Sequence, residues 1–382
     1  MKAKLSILYF LLWISVSGFS QSGFWTISGI ITEEKKNPAK SAHVFVNNTS
    51  IGIITNENGN FLINIPNKFS QIELIVLLTG HKTIKRKVNF STEIQLFKFQ
   101  LEYDNSLKKV MDSDTYGKFL RKKRKLFEQA LLGNSKLARQ CKILNLEAIE
   151  LEYDKDNKLI ATANDPIIIE NRALGYKILF QMEKFETDGI STHASGQKFF
   201  EIMDSVNSNP KKKWEKNRKE IFYDSFQNFL LALALNNLNK NRFEVFKIDD
   251  YKSLDYKKST LANKVKDGLF TPVQNSEIFE FDKDRELFVI HSEMPLLIFL
   301  KSKPDSKSFL TDYPYQYSVI FLTKGYSSFS SNGLINRPAD VTLKGYWKFN
   351  GFANLLPDNY SEEEFTKESS DETIINKISK NQ

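Results

Sequence analysis

From Phe24 to about Leu101 the apolar side chains fall on alternate positions over short stretches, Trp25, Ile27, Gly29 and Ile31 in one, Phe61, Ile63 and Ile65 in another. A period of two puts each set on one face of a strand. Turn formers punctuate the stretches at Asn37-Pro38, Asn47-Asn48, Asn58-Gly59, Pro66-Asn67 and Gly80. The pattern predicts strands near 24–32, 42–47, 51–55, 60–65, 72–77, 82–88 and 93–101. Asn58-Gly59 is expected to close a tight hairpin, because these two residues tolerate positive φ best. Seven short strands with no helical stretch between them predict an all-β sandwich.

Past Tyr103 the period changes. Tyr116, Leu120, Phe127 and Leu131, joined by Phe119, Leu126 and Ala130, recur at helical spacing, and Gly133-Asn134 follows as a stop. Strand-like runs come next at 143–153, 159–163, 166–170 and 176–185, with a turn at Asp154–Asn157. A second long helix is predicted from Trp214 to about Leu235, with Trp214, Arg218, Ile221, Phe222, Ser225, Phe226, Phe229, Leu230 and Leu233 along one face. From Phe243 to Tyr360 strands return, and the charged stretch 361–382 reads as a disordered tail. The expected chain is therefore multidomain: a sandwich over 22–102, then a mixed α+β region over 110–360 with two long amphipathic helices.

The first residues change the picture by suggesting an address. Lys2 and Lys4 precede the apolar run Leu5–Val16, and small residues at Gly18 and Ser20 suit a cut before Gln21. This three-part pattern predicts a signal peptide over 1–20, and the run is shorter than the roughly 20 apolar residues of a spanning helix. Cys141 is the only cysteine, so no lipid-acceptor thiol stands near the cut and no internal disulfide can form. An exported protein of the periplasm or cell envelope, without a lipid anchor, is expected. The 54 Lys and Arg against 46 Asp and Glu give a mild excess, too weak to argue for nucleic acid. It suits peripheral contact with acidic head groups of the outer membrane.

Three stretches of the first part carry a resemblance: Ile27-Ser28-Gly29-Ile30-Ile31, Ala42-His43-Val44-Phe45-Val46, and Thr55-Asn56-Glu57-Asn58-Gly59-Asn60-Phe61 with Ile65-Pro66. Together they resemble the carboxypeptidase regulatory-like domain, a transthyretin-like sandwich common in envelope proteins of Gram-negative bacteria. The second part is similar to an uncharacterised region that follows this sandwich in many exported bacterial proteins. The similarity runs through Cys141–Asn145, Pro166–Tyr176, Arg218 with Tyr223–Leu230, Gly345-Tyr346-Trp347 and Ala353–Tyr360. Where relatives tend to have Gly-Ser and His-Phe in the helix, this chain has Asp224-Ser225 and Asn228-Phe229.

Chemistry-bearing patterns are sparse. His43, His81, His193 and His291 lack a second His or Glu at the helical spacing a zinc site wants, and His291-Ser292-Glu293 lacks the cysteine pair of a deaminase. Gly325-Tyr326-Ser327-Ser328-Phe329 misses the second glycine of a nucleophile elbow, and no phosphate-cradling glycine loop occurs. Asp154-x-Asp156 and Asp282-x-Asp284-x-Glu286 read as hairpin tips rather than calcium loops. Cys141 reads as a small buried residue at a strand edge. The basic runs Arg121–Lys125 and Lys211–Lys213 read as solvated helix faces. No catalytic residue, metal ligand or cofactor is assigned on these grounds.

One segment stands out. Glu170, Asn171, Arg172 and Tyr176, with Arg218 and Tyr223 from the second helix, could line a groove. The structural alternative is a bulged turn shaped by Gly175, with Glu170 paired to a buried arginine such as Arg218. The function expected is non-catalytic binding of an envelope protein or glycan, through an exposed sheet edge or loops of the sandwich. An unrecognised hydrolase with a site in the 166–230 region, and an accessory role in outer-membrane transport, are the rival readings. Oligomeric state stays open.

Overall fold

The computed structural model describes residues 23–34, 36–104, 117–189, 192–205, 208–248, 270–285, 287–304, 315–349 and 351–361. The expected signal peptide, all but the first residue of the expected tail, and Glu286 lie outside them. The chain is an N-terminal β-sandwich followed by a mixed region with few helices.

The sandwich has the strands its alternation predicts: β1 (Phe24–Thr32), β2 (His43–Val46), β3 (Gly52–Ile54), β4 (Asn60–Pro66), β5 (Gln71–Leu77), β6 (Ile84–Asn89) and β7 (Gln95–Gln100). They form two sheets, ordered β4-β1-β7 and β3-β2-β5-β6. All pairings are antiparallel except β1 with β7. Trp25, Ile27, Ile31, Phe61, Ile63 and Ile65 from one sheet meet Val44, Val46, Ile72, Leu74 and Val76 from the other in a single core.

Asn58-Gly59 is not a hairpin turn. The strands on either side of it, β3 and β4, belong to different sheets, so the segment is a crossover. Asn56 shapes it by accepting from the amides of Asn58 and Asn60 through Oδ1 at 3.0 and 2.9 Å. Only Gly59 takes positive φ, at 71°, where a Cβ would come within 2.2 Å of the Ile31 carbonyl.

The helix after the sandwich is α1 (Gly117–Leu132), ending at Gly133 as its spacing predicts. It lays Phe127 and Leu131 on a six-stranded sheet. That sheet contains β8 (Cys141–Ile143), β9 (Ile149–Tyr153), β10 (Leu159–Ala163), β11 (Ile167–Asn171), β12 (Tyr176–Thr187) and β13 (Thr192–Ile202). The run read as one strand over 143–153 is two, because Asn145 turns the chain. Its Oδ1 accepts from the Ile168 amide at 2.8 Å and its Nδ2 donates to Pro166 O at 2.9 Å, in place of ladder bonds. Residues 192–202, which carry no clean alternation, form β13 and pair with β12 from end to end.

The second long helix is also two elements, α2 (Ser208–Tyr223) and α3 (Phe226–Ala234). Ser225 leaves helical geometry at φ −81°, ψ 158°, and its Oγ accepts from the Asn228 amide as an N-cap. Ser225→Ala is expected to cost about 1 kcal/mol in urea unfolding; a variant as stable as the parent would show that tertiary packing alone sets the break.

Beyond α3 lie β14 (Phe243–Ile248), β15 (Phe270–Pro272), β18 (Leu296–Pro304), β19 (Tyr315–Leu322) and β21 (Val341–Gly345) in one sheet. A smaller sheet holds β16 (Phe279–Asp282), β17 (Leu287–His291) and β20 (Tyr326–Phe329). Both pack on α3, whose residues from Asn228 to Ala234 are all buried. A short helix, α4 (Tyr346–Phe349), brings Trp347 against Phe226 and Phe229. Among the described residues no helix is long and apolar enough to cross a membrane.

Candidate functional site

The connection from β11 to β12 gathers most of the residues singled out above. Asn171 is fully buried; its Oδ1 accepts from the amides of Ala173 and Leu174 at 3.1 and 3.0 Å, and its Nδ2 donates to Ala353 O at 3.1 Å. One face of α2 binds the carbonyls of the turn in sequence. Trp214 Nε1 donates to Arg172 O at 2.9 Å, Asn217 Nδ2 to Ala173 O at 2.7 Å, and Arg218 to Leu174 O and Gly175 O at 2.7 and 3.2 Å. The Arg218 guanidinium also lies 4.1 Å from the centre of the Tyr176 ring. Burial pushes the Tyr176 phenol up to about 12 despite that neighbouring charge.

Glu170 pairs with Arg172 at 2.7 Å rather than with Arg218, whose donors go to backbone. Tyr223 lies apart at the C-terminus of α2, where its carbonyl accepts from Asn228 Nδ2. Asn171, Arg172, Tyr176 and Arg218 thus come together around a turn; Asn171 and Arg218 spend polar groups on its backbone, Arg172 pairs with Glu170, and Tyr176 offers its ring to Arg218. Cys141 starts the edge strand β8, half-buried, with burial pushing its thiol up to about 12.

A second cluster joins the sandwich to the rest of the chain. The turn Asn47–Ser50 sits beside β13, and Thr49 makes a parallel bridge to Phe199. Asn48 donates its amide to Lys198 O at 2.8 Å, Phe200 donates to Thr49 O at 2.9 Å, and Asn47 Oδ1 accepts from the Lys198 amide at 3.0 Å. Asn48 holds φ at 59°, a left-handed conformation that asparagine tolerates better than most residues. Phe199 covers the outer face of the sandwich at Phe45, with ring centres 5.2 Å apart, beside Ile75 and Leu77.

The segment Asn354–Tyr360 straps this junction from the other side. Asp358 donates its amide to Asn48 O at 2.8 Å; Asn359 Oδ1 accepts from the Ser50 amide at 2.9 Å, and Lys68 Nζ donates to Asn359 O at 3.3 Å. Across the junction Lys85 pairs with Glu183.

Burial pushes the Asp358 carboxyl up to about 7 from an ordinary 3.8, against the charge of Lys198 and a bond to Asn48, and the same burial lowers Lys198. The folded chain therefore keeps a proton on Asp358 that the unfolded chain releases. Its contribution to stability declines as pH rises from about 4 to about 7 and is level beyond. Since Asp358 is only half-buried by surface area, the decline is expected to be on the order of 2 kcal/mol. Urea unfolding at pH 5 and pH 8 should show Asp358→Asn losing less stability than the parent over that interval; equal losses would contradict this assignment.

Behind the junction lies a cavity of ≈ 420 Å³ between α1, α3, α4 and the residues that open the strap. Leu126, Ala130, Phe226, Trp347 and Phe352 form much of its wall, and Lys198 borders it. Trp347 Nε1 donates to Asp224 O at 2.7 Å, which fixes the indole across the break between α2 and α3. Gly351, at φ 27°, lets the chain pass Gly133, whose nitrogen would be 2.4 Å from a Cβ. Among the described residues no three His, Cys, Asp or Glu side chains converge as a metal site would need.

Residues 27–111 match the CarboxypepD_reg-like domain. The sandwich is a carboxypeptidase regulatory-like domain. No curated protein matches the chain. Among solved structures, it resembles a protein of unknown function from Bacteroides fragilis NCTC 9343, described as membrane-associated, at 10% identity and TM-score 0.18, over 85% of this chain and 95% of that one. A DUF3823 family protein from Bacteroides ovatus ATCC 8483 matches at 8% identity and TM-score 0.17, over 48% and 82%. Catechol 1,2-dioxygenase from Acinetobacter sp. ADP1 matches at 13% identity and TM-score 0.17, over 23% of this chain and 55% of its own. At such TM-scores nothing about activity transfers.

The residues that tie the regulatory-like domain down, Asn48, Lys198 and Asp358, did not stand out in the sequence. One signal was present. Residues 74–77 of β5 are apolar without alternation, as in a strand covered on both faces, and all four are buried. Such a run implies that something packs on the outside of the sandwich, and Phe199 does.

Proposed function

We propose that the chain is a non-catalytic binding protein of the cell envelope, in which the regulatory-like domain is a fixed platform on a larger body. The observation that carries this reading is the use made of the polar groups around residues 170–218. Asn171, Trp214, Asn217 and Arg218 hold their own backbone, and the Tyr176 phenol is kept protonated by burial. A hydrolase in this region would need a carboxylate or nucleophile turned toward a substrate. The signal-like first residues support export, and the domain's surface supports recognition of a protein or glycan. There, β3 is exposed throughout, and Leu62 and Leu96 stand at 50% and 79% exposure on the outer face of β4-β1-β7.

Fractionation of cells by osmotic shock, with N-terminal sequencing of the recovered chain, tests the address. The reading expects an envelope fraction starting at Gln21; a cytoplasmic chain that retains residues 1–20 would contradict it. Ester, peptide and glycoside substrates offered to the purified chain test the rest, and turnover proportional to protein through successive purification steps would favour the hydrolase.

A further inference from the structure

We propose that the ≈ 420 Å³ cavity binds a small amphipathic anion, with its apolar body against Phe226, Trp347 and Phe352 and its anionic head at the Lys198 ammonium. The volume lies within the ~300–1,000 Å³ of small-molecule sites, which are mostly apolar with a few placed polar groups. Lys198 is the group that selects the ligand's charge. Its ammonium has three N–H donors, and its contacts among the described residues, Gly196 O at 3.3 Å and Asn48 Oδ1 at 3.5 Å, are long, where about 2.9 Å is usual. It also lies over the rings of Phe180 and Phe352, with centroids 5.5 and 5.9 Å away.

An ammonium sunk among rings with long contacts has lost hydration that an anionic oxygen can replace. Asp358 offsets its charge, but from the strap and in a partly protonated state near neutral pH. The other charged residues on the wall are Asp224, at the helix break beneath Trp347, and Lys348, which is exposed. Asp224 is itself buried and lies at the helix break, whereas the half-buried Lys198 ammonium stands beside the rings, so the aromatic side of the cavity calls for one negative charge on an apolar body. A free inorganic anion would leave the aromatic wall unfilled.

This inference does not depend on the envelope reading, since a cytoplasmic chain could bind such a ligand and an exported one could fail to. Calorimetric titration of the full chain with decanoate, decyl phosphate, decanol, decylamine, acetate and inorganic phosphate tests it. Saturable binding of decanoate or decyl phosphate is expected, at least tenfold tighter than decanol or decylamine, with no heat from acetate or inorganic phosphate at the same concentrations. Lys198→Met should erase the preference for the anionic heads while decanol binding persists. Ala130→Phe, which fills the cavity, should weaken all the decyl ligands at least tenfold; circular dichroism checks that each variant is folded. Equal binding of charged and neutral decyl ligands, binding unmoved by Ala130→Phe, or no binding of either anion would overturn the proposal. The parent-chain comparison alone decides it if a variant does not fold.

Discussion

Asn48→Ala is expected to destabilise the chain by about 3 kcal/mol and to loosen the regulatory-like domain from the body. Two effects add. Alanine pays about 1–2 kcal/mol for the left-handed conformation that Asn48 holds at φ 59°. It also removes Oδ1, which accepts from Lys198, and the side-chain hydrogen bond to the Asp358 carboxyl, leaving two half-buried polar groups short of a partner. Asn48→Gly separates these terms, because glycine adopts the conformation freely and loses only the side-chain bonds. It should fall between the parent and the alanine variant. Asn48→Asp keeps an acceptor for Lys198 but sets a second carboxylate beside Asp358, so its deficit should grow with pH through about 7. Urea unfolding of the series at pH 5 and pH 8 checks the order. Alanine and glycine variants of equal stability would show that backbone conformation does not matter at this turn.

Gly175→Ala is expected to cost about 4 kcal/mol, the largest single effect among these changes. The added Cβ would lie 2.3 Å from Trp214 Cδ2, on a residue held at φ 68°. Overpacking of this kind costs about 1–3 kcal/mol and the conformation about 1–2 more. The indole cannot simply swing away, since Nε1 is bonded to Arg172 O and the neighbouring Asn217 and Arg218 hold the next carbonyls. Trp214→Leu in the Gly175→Ala background should recover part of the loss, whereas in the parent it should only destabilise. Additive losses in that cycle would mean that ring and glycine do not meet.

The sandwich was legible because its strands are short, one-sided and bounded by turn residues, so alternation alone places β1 and β4 with their inward faces correct. The error at Asn58-Gly59 has a definite source. An Asn-Gly pair signals a local turn, and nothing local says whether the flanking strands pair with each other or with strands farther along the chain. Helical periodicity found α1 but ran through Ser225, because the apolar face continues across the break and a cap is visible only where the first helix is known to end.

The grouping of Asn171, Arg172, Tyr176 and Arg218 was foreseeable from residue types, but the partners of Asn171 and Arg218 were not, since those are backbone amides and carbonyls. The junction was the least legible part. Asn48, Lys198 and Asp358 are far apart in sequence, and an asparagine in a turn, a lysine in a strand and an aspartate near the end each look ordinary alone.

The central claim is that the regulatory-like domain and the body unfold as one unit because Asn48, Phe199 and the strap lock them. Differential scanning calorimetry tests this most directly, comparing the parent with the double variant Asn48→Ala/Asn359→Ala. The parent should give one transition whose calorimetric and van't Hoff enthalpies agree, and the double variant should give two. Two separate transitions in the parent, or an unsplit single transition in the double variant, would contradict the account.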